Sequence, residues 1–508
     1  MGPLATGGVI GVIALVLFMS GMPIAFALGL TAAVSILLFL DPAQFDLFSK
    51  FVFDSLNDFS LLAIPLFILM GDLFGGSAAS KRLFEAGEAW LSRVRGGLGM
   101  SSIGASAVFA ALTGSSPATA AAIGRVAIPE MLARGISTRV AAGAVAAGGT
   151  LGILIPPSIT LILYGIASEQ SIGQLFAGGI LPGILITLMF CAWIFIATTL
   201  ESGKARRSGL TRALASAGVV DDSAVEHPGG GGGAVPASGT SGGGTAVLER
   251  DRGGIPDRPA PEQPTAAATV TAAATAPGEY VAPTYTWGDR FASLVKVLPF
   301  LVIIAGILFV LYRGVATPSE AAAVGVVFVL ALIAILYRNL TGRGLLKILL
   351  DATNQSTMIL LITAFSAVIG TVLSFLSVPQ ELAATVSDLE VNRWVVMFAI
   401  NVVLLVLGLF LPPVSIIVMV TPVLFPLIIA LGFDPIWFGV IMTVNMEMGL
   451  ITPPVGLNLY VIKGIAPDIP LKDILTGTLP YVGVLALAIV IMAIFPGIVT
   501  WLPNLLFG

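Results

Sequence analysis

Two Gly-x-x-x-Pro-Pro motifs inside apolar stretches carry the clearest chemistry in this sequence. They run from Gly152 to Pro157 and from Gly449 to Pro454, and the second lies 297 positions after the first. Gly and a double Pro in the middle of a membrane helix leave backbone N–H and C=O groups unpaired, and lipid cannot satisfy them. Such breaks persist where they line a cavity or bind a ligand, so a matched pair predicts a transport site near the bilayer midplane. A simple helix kink is the alternative.

Two further segments place chain-breaking residues inside apolar sequence. The first, Thr113 to Pro117, carries three hydroxyls and a glycine, and the second is Leu411 to Pro413. Each precedes a proline that keeps the 297-residue offset, Pro129 and Pro426. A half-helix that begins at such a tip offers free amides to an anion, whereas carbonyl and hydroxyl oxygens suit a hard cation such as Na⁺. We expect each tip to face one of the breaks and to form one pocket with it.

Polar side chains near the breaks are candidate ligands. Ser158 and Thr160 follow the first break, and Thr452 and Asn458 belong to the second. Glu447 directly precedes the second motif, and because intramembrane carboxylates are costly, we favour a role for it in a gate or ion site. Two other carboxylates, Asp72 and Glu320, lie near the ends of apolar spans, where an interfacial position is as plausible as a functional one.

The composition is that of a polytopic membrane protein. Hydrophobic residues make up 57% of the 508 residues and charged residues 10%, with a mean hydropathy of +1.02. The net charge of −4 argues against a nucleic-acid partner. One cysteine, Cys191, and one histidine, His227, leave little for a disulfide, a histidine metal site or a Ser-His-Asp triad. The sequence contains no Walker motif, which argues against ATP hydrolysis by this chain.

Apolar segments of roughly 20 residues can cross a bilayer. Two segments, 98–133 and 393–432, have a polar or Pro-rich tip near the middle and are predicted to be re-entrant hairpins. Residues 140–165 and 436–462 are predicted to be the broken helices. The ten predicted spans are 5–21, 23–40, 60–78, 140–165, 179–200, 294–312, 317–337, 356–377, 436–462 and 475–500.

Lys and Arg set the predicted orientation. They concentrate in loops 79–97, 338–355 and 463–474 and after residue 200, and ten spans with two hairpins place these four loops on one face, which should be cytoplasmic. The hairpins then enter from opposite sides. The predicted fold is an all-α polytopic membrane protein of two inverted repeats, 1–200 and 288–508, each with a re-entrant hairpin and a broken helix.

Residues 201–287 are rich in Gly, Ala, Pro, Thr and Ser, and they predict a disordered cytoplasmic linker between the repeats. A plain spacer is favoured over a regulatory docking segment. Segments 80–95 and 378–392 mix charged and apolar residues at helical spacing. They are either surface helices that brace the moving parts or ordinary amphipathic loops.

Together these residues resemble the large membrane subunit of tripartite ATP-independent periplasmic (TRAP) transporters, within the wider ion-transporter superfamily. The resemblance extends over nearly the whole chain outside 201–287, although Pro412-Pro413 replaces the acidic or hydroxyl residue of many relatives and the linker is longer than expected for the family. The motifs that carry it are residues 21–26, 63–67, 113–120, 155–158, 316–322 and 449–458.

The resemblance implies an elevator-type secondary transporter in the bacterial inner membrane that uses a Na⁺ gradient to take up an organic acid, usually a carboxylate. It also implies a small four-helix membrane subunit and an extracytoplasmic substrate-binding protein as partners, and no cofactor besides the coupling ion. Carried over by motif, the ion- or substrate-binding residues are Thr113, Gly114, Ser115, Ser116, Gly152, Pro156, Pro157, Ser158, Leu411, Pro412, Pro413, Ser415, Glu447, Gly449, Thr452, Pro453, Pro454 and Asn458. The predicted sodium ligands among them are Ser115, Ser116, Gly152, Gly449 and Thr452.

Three other functions compete with this interpretation. A membrane-embedded enzyme would need a cluster of His, Asp or Cys that the sequence does not offer. A channel would share the helix breaks but does not need two inverted pockets. The nearest rival is a stand-alone sodium-coupled di- or tricarboxylate carrier of the same superfamily, from which dependence on partner proteins would distinguish the favoured function.

Overall fold

The structure, a computed structural model, describes residues 1–77, 79–216, 285–337, 341–388 and 391–508. Every regular element in these ranges is helical. Most of the predicted linker, 217–284, lies outside the described residues. At its margins, helix α10 continues to Ser216 and α11 begins at Trp287.

Twenty α-helices follow one another through the described residues, and most of them begin or end at a Pro, a Gly or a capping hydroxyl. Thr286 and Thr317, for example, each form a reciprocal capping box with the acidic residue three positions later. The helices are α1 (Pro3–Met19), α2 (Ile24–Phe39), α3 (Leu47–Leu56), α4 (Ala63–Gly75), α5 (Ala79–Leu91), α6 (Gly97–Thr113), α7 (Ser116–Ala133), α8 (Thr138–Thr150), α9 (Ile159–Ser168), α10 (Ile172–Ser216), α11 (Trp287–Tyr312), α12 (Pro318–Leu332), α13 (Gly342–Phe375), α14 (Val378–Asp388), α15 (Arg393–Gly408), α16 (Pro413–Ala430), α17 (Pro435–Leu450), α18 (Leu457–Ile465), α19 (Leu471–Ile494) and α20 (Gly497–Phe507).

Both segments predicted to be hairpins consist of two helices joined at the predicted tip. Helix α6 ends at Thr113 and α7 begins at Ser116, and the left-handed backbone of Gly114, with φ of +58°, lets the chain turn there. Helix α15 ends at Gly408, and α16 begins at Pro413, whose lack of an amide proton suits the first turn.

Both segments predicted to be broken helices are interrupted at the Gly-x-x-x-Pro-Pro motifs. Helix α8 ends at Thr150, a short 3₁₀ turn follows, and α9 begins at Ile159. Helix α17 ends at Leu450 and α18 begins at Leu457. The Pro156–Pro157 and Pro453–Pro454 peptide bonds are both cis.

The described residues contain fewer helices of membrane-spanning length than the ten spans predicted from the sequence. Among the described residues, six helices are long and apolar enough to cross a membrane, or seven if a bent pair at 44–75 counts as one span. Helices α1, α2 and α4 have only 17, 16 and 13 residues, and the broken helices are divided by their Pro-Pro motifs. Helix α16, predicted to be a hairpin arm, has 18 residues and is one of the six helices long and apolar enough to cross a membrane.

Four segments predicted as loops or left unassigned are helical. Helices α5 and α14 occupy most of segments 80–95 and 378–392, for which the sequence left a surface helix and a loop open, and α13 begins at Gly342, well inside the predicted loop 338–355. Helix α20 follows the last predicted span. Helix α13 extends beyond its apolar stretch, whereas α5 and α20 are separate short helices that follow a break in the chain.

The core lies where the tips and the broken helices pack together. Helix α8 is buried along its length except at its first residues, and it packs on α6, α7 and α19. Small residues permit this: Gly143 of α8 lies directly against the backbone of Gly477 of α19. The long helix α13 packs on α2, α4 and α16 beside this core.

Candidate transport site

The first tip is a hydroxyl-lined turn that leads into an uncapped helix. Ser115 is the N-cap residue of α7, but its side chain caps no amide. The hydroxyls of Thr113 and Thr119 lie 2.9 Å apart, and Thr119 donates to the Ser115 carbonyl at 2.8 Å. The amides of the first turn of α7 have no acceptor within the helix. This N terminus can therefore receive an anion.

The first break lies directly against this tip, as the sequence analysis predicted. A Cβ atom on Gly152 would lie 2.6 Å from the Ser115 carbonyl oxygen, and one on Gly114 would lie 3.0 Å from the Pro157 carbonyl oxygen. The Ser158 hydroxyl donates to the Ile153 carbonyl and accepts from the Leu161 amide at 3.2 Å. Ser158 thus caps α9 and closes the break, and backbone oxygens make up much of this corner.

The second tip and the second break are also neighbours. The Val455 amide donates to the Leu409 carbonyl at 3.2 Å, and a Cβ on Gly449 would meet the Gly408 carbonyl oxygen at 2.5 Å. The Thr452 hydroxyl donates to the Met448 carbonyl at 2.6 Å. The buried hydroxyl of Ser415 has no hydrogen-bond partner among the described residues. Leu411 and Pro412 are half-buried, and Pro453 and Pro454 are exposed, whereas Pro156 and Pro157 are buried.

Asn458, which the sequence analysis assigned to the second pocket, lies instead at the first tip. Its side chain is fully buried and reaches the first tip, where its Nδ2 atom donates to the Ser116 hydroxyl at 2.8 Å and to the Ala146 carbonyl at 3.0 Å. Its Oδ1 atom lies 3.1 Å from the same hydroxyl. The reason is that α18 packs on α7 and α8. Asn458 therefore joins the second break to the first tip.

Glu447 is buried between the two broken helices. Its Oε2 atom lies 3.4 Å from the Thr150 hydroxyl, and its Oε1 atom has no partner among the described residues. Thr150 and Glu447 stand 297 residues apart, and each precedes the Gly of its own motif by two positions. Equivalent positions of the two motifs are therefore in contact.

Both tips and both breaks border one cavity of about 190 Å³. The first tip contributes residues 113–118 and the second tip Pro412, Pro413 and Val414. Helices α4 and α13 complete the wall. The other lining residues are Ile68, Gly71, Asp72, Ile153, Ile159, Thr160, Gln355, Met358, Ile359, Ile362, Leu450 and Leu457.

The cavity separates the predicted residues into two groups. Those that line it are Thr113, Gly114, Ser115, Ser116, Pro412 and Pro413, together with Thr160. The others do not line it. They are Gly152, Pro156, Pro157, Ser158, Leu411, Ser415, Glu447, Gly449, Thr452, Pro453, Pro454 and Asn458.

The two remaining carboxylates have different places. Asp72 lines the cavity, and the Gln355 side-chain amide donates to its Oδ2 atom at 3.1 Å. Glu320 caps α12 by accepting from the Thr317 amide at 2.8 Å, which gives it a structural role. The sequence analysis missed Gln355 because it placed this residue in a loop. The polar run Asn354 to Thr357, at the edge of an apolar stretch, was the available indication.

Comparison of the sequence with those of known proteins shows which family it is similar to. The sequence model described as "Tripartite ATP-independent periplasmic transporter, DctM component" matches residues 11–498. The C4-dicarboxylate TRAP transporter large permease protein DctM of Pseudomonas aeruginosa is 33% identical over 479 residues, which cover 94% of each chain.

Two other relatives show the same similarity. The C4-dicarboxylate TRAP transporter large permease protein DctM of Vibrio cholerae is 31% identical over 509 residues, covering 96% of this chain and 95% of that protein. The isethionate TRAP transporter permease protein DctMQ of Oleidesulfovibrio alaskensis is 29% identical over 478 residues, covering 94% of this chain and 63% of that protein.

Proposed function

The chain belongs to the DctM component family of tripartite ATP-independent periplasmic transporters, and on this premise we propose that it moves an organic acid through the cavity between its two tips by sodium-driven alternating access. It is a large permease, a multi-pass protein of the bacterial inner membrane, and a transporter rather than an enzyme. Its substrate, coupling ion and partners are parts of the proposal.

One observation carries the proposal: a single cavity is bordered by both tips and both breaks. At these four places helices end within apolar sequence and leave backbone groups that no helix satisfies. In a membrane protein such groups occur where they line a cavity or hold a ligand. A site built from two matched tip-and-break pairs can face either side of the membrane in turn if the pairs move together against the rest of the protein.

The first tip suits the carboxylate of an organic acid. The α7 N terminus lacks a side-chain cap, and residues 115–118 of its first turn line the cavity. Free amides and the helix dipole stabilise a negative charge at this position. The names of the relatives, which carry C4-dicarboxylates or isethionate, support an anionic organic substrate.

The backbone behind the tips suits Na⁺. The carbonyl oxygens of Ser115 and Pro157 converge around Gly114 and Gly152, where no Cβ atom intrudes. On the other side, the Gly408 carbonyl faces Gly449 and the Ser415 hydroxyl lacks a partner. Hard cations prefer such oxygen ligands. We place the first sodium ion at the first tip and a second one near Ser415.

Two inverted repeats and an elevator motion are the mechanical part of the proposal. The contact between Thr150 and Glu447, at equivalent positions of the two motifs, is what a two-fold relation between the broken helices would produce. The tips and breaks would then move as one body against a scaffold that includes α13. The family also implies a small membrane subunit and an extracytoplasmic binding protein as partners.

Co-purification tests the dependence on partners. The tagged chain is extracted from its native membranes in mild detergent, and the proteins that elute with it are identified by mass spectrometry. Recovery of a small membrane protein with about four apolar helices is expected. A chain that elutes alone, and that transports succinate or citrate alone in proteoliposomes, would instead establish the stand-alone carrier.

A further inference from the structure

The charge of the cavity constrains its substrate more tightly than the family does. Asp72 is the one charged residue among the described residues that line the cavity, and none of those residues is Lys, Arg or His. The other polar lining side chains are those of Thr113, Ser115, Ser116, Thr160 and Gln355. Among these lining residues, positive potential therefore comes from helix N termini and not from a side chain.

Close packing of its neighbour fixes the position of Asp72 in the cavity wall. The preceding residue, Gly71, lies against the Thr113 backbone, since a Cβ at Gly71 would approach the Thr113 carbonyl oxygen to 2.7 Å. From the neighbouring helix α13, Gln355 donates one hydrogen bond to Oδ2, and no described residue donates to Oδ1. Asp72 is half-buried, and one of its oxygens remains available as an acceptor.

We propose that Asp72 forms a subsite for a cationic nitrogen of the substrate, so that the transported acid is a zwitterion with one carboxylate and one ammonium-type group. The inference rests on the proposed function, because it assumes that the carboxylate binds at the α7 N terminus. Asp72 then receives the nitrogen through Oδ1, while Gln355 keeps the carboxylate of Asp72 in the wall.

Electrostatics favours this class over a dicarboxylate. In a partly buried site the attraction between opposite charges, and the repulsion between like charges, is several times stronger than in water. A dicarboxylate would bring a second negative charge into a small cavity that already holds Asp72. A zwitterion leaves each of its charged groups with an opposite partner.

Three four-carbon probes test the inference at constant chain length. They are γ-aminobutyrate, succinate and butyrate, and their affinities are measured by calorimetric titration of the purified permease with its membrane partner in lipid nanodiscs containing Na⁺. We expect γ-aminobutyrate to bind about tenfold more tightly than either of the other two acids. Succinate binding as tightly as γ-aminobutyrate would overturn the inference.

Two matched variants assign the preference to a residue. Asp72→Asn keeps the size of the side chain and should abolish the advantage of γ-aminobutyrate over succinate. Asp388→Asn removes the same charge from an exposed position on α14 that does not line the cavity, and it should leave the ranking unchanged. A melting curve for each variant shows whether it folds.

The outcomes separate this inference from the proposed function. If succinate or butyrate binds and Asp72→Asn changes no affinity ratio, the organic-acid function stands and the zwitterion subsite is wrong. If Asp72→Asn weakens the effect of Na⁺ but leaves the ranking of the acids unchanged, Asp72 holds a coupling ion and the subsite is also wrong. If none of the three acids binds the wild-type complex at millimolar concentration, the inference is overturned. A sulfonate such as isethionate, tested alongside, then shows whether the organic-anion function survives.

Discussion

At the scale of single residues, the account depends most on glycines that have no room for a side chain. Gly152 is the clearest case, because the Ser115 carbonyl oxygen lies where a methyl group would be. The obstacle is backbone, which cannot rotate away as a flexible side chain would. Any substitution at Gly152 must therefore move the first tip or the break.

We predict that Gly152→Ala reduces Na⁺-dependent uptake at least about tenfold, because a shift of about 1 Å in a binding geometry can lower a rate by more than this. The measurement is uptake of the transported acid by proteoliposomes. Gly104→Ala is the control: Gly104 lies on α6 with nothing near its Cβ position. Uptake by Gly152→Ala at the wild-type rate would show that the corner is not part of the site.

Asn458 provides a second test at this scale. Asn458→Ala removes the buried side-chain partner of the Ser116 hydroxyl and one hydrogen bond to the Ala146 carbonyl, which should cost about 1–3 kcal/mol of stability. Because Ser116 opens α7 beside the cavity, the Na⁺ concentration for half-maximal uptake should also rise. Asn401→Ala, which disturbs a hydrogen bond with Asn445 outside the cavity, should lower the melting temperature alone. If both variants showed the same Na⁺ dependence, a role of Asn458 in positioning Ser116 at the first tip would be contradicted.

At the scale of helices, α5 is joined to the base of α7 by an ion pair. Arg134 contacts both Glu88 and Glu130, and the Glu88 side chain is only 6% exposed. We predict that Glu88→Gln lowers the melting temperature of the purified protein, because Arg134 loses a buried charged partner. Glu85→Gln on the same helix should have little effect, since its contact with Lys81 at 3.9 Å is exposed. The reverse order of the two effects would contradict a stabilising role for the Arg134–Glu88 ion pair.

The helices also show what could be predicted from the sequence. The breaks and tips could be located because Gly and Pro disrupt helices at the positions where they stand. The beginning of α13 at Gly342 could not be predicted. Charged residues such as Arg343 and Lys347 precede the apolar part of this helix, so the apolar pattern does not indicate where it begins. The partner of Asn458 could not be predicted either, since it depends on how α18 packs against α7.

At the scale of the whole molecule, the asymmetry between the halves matters most. The first break is buried, whereas Pro453 and Pro454 of the second are exposed. Under the proposed inverted-repeat relation, unequal exposure of the two breaks is expected of a transporter in one of its two end states. In the other state a residue in the cavity should become accessible from the opposite side of the membrane.

The most direct test is cysteine accessibility, which needs no knowledge of the substrate. Ala118 lines the cavity, and Cys191 is the one natural cysteine to be removed. Ala118→Cys in a Cys191→Ala background is labelled with a membrane-impermeant maleimide in right-side-out and inside-out vesicles, with Na⁺ or choline. The account predicts labelling from both sides, with rates that change in opposite directions when choline replaces Na⁺. Labelling from one side only under every condition, or parallel changes on both sides as in a channel, would contradict alternating access through this cavity.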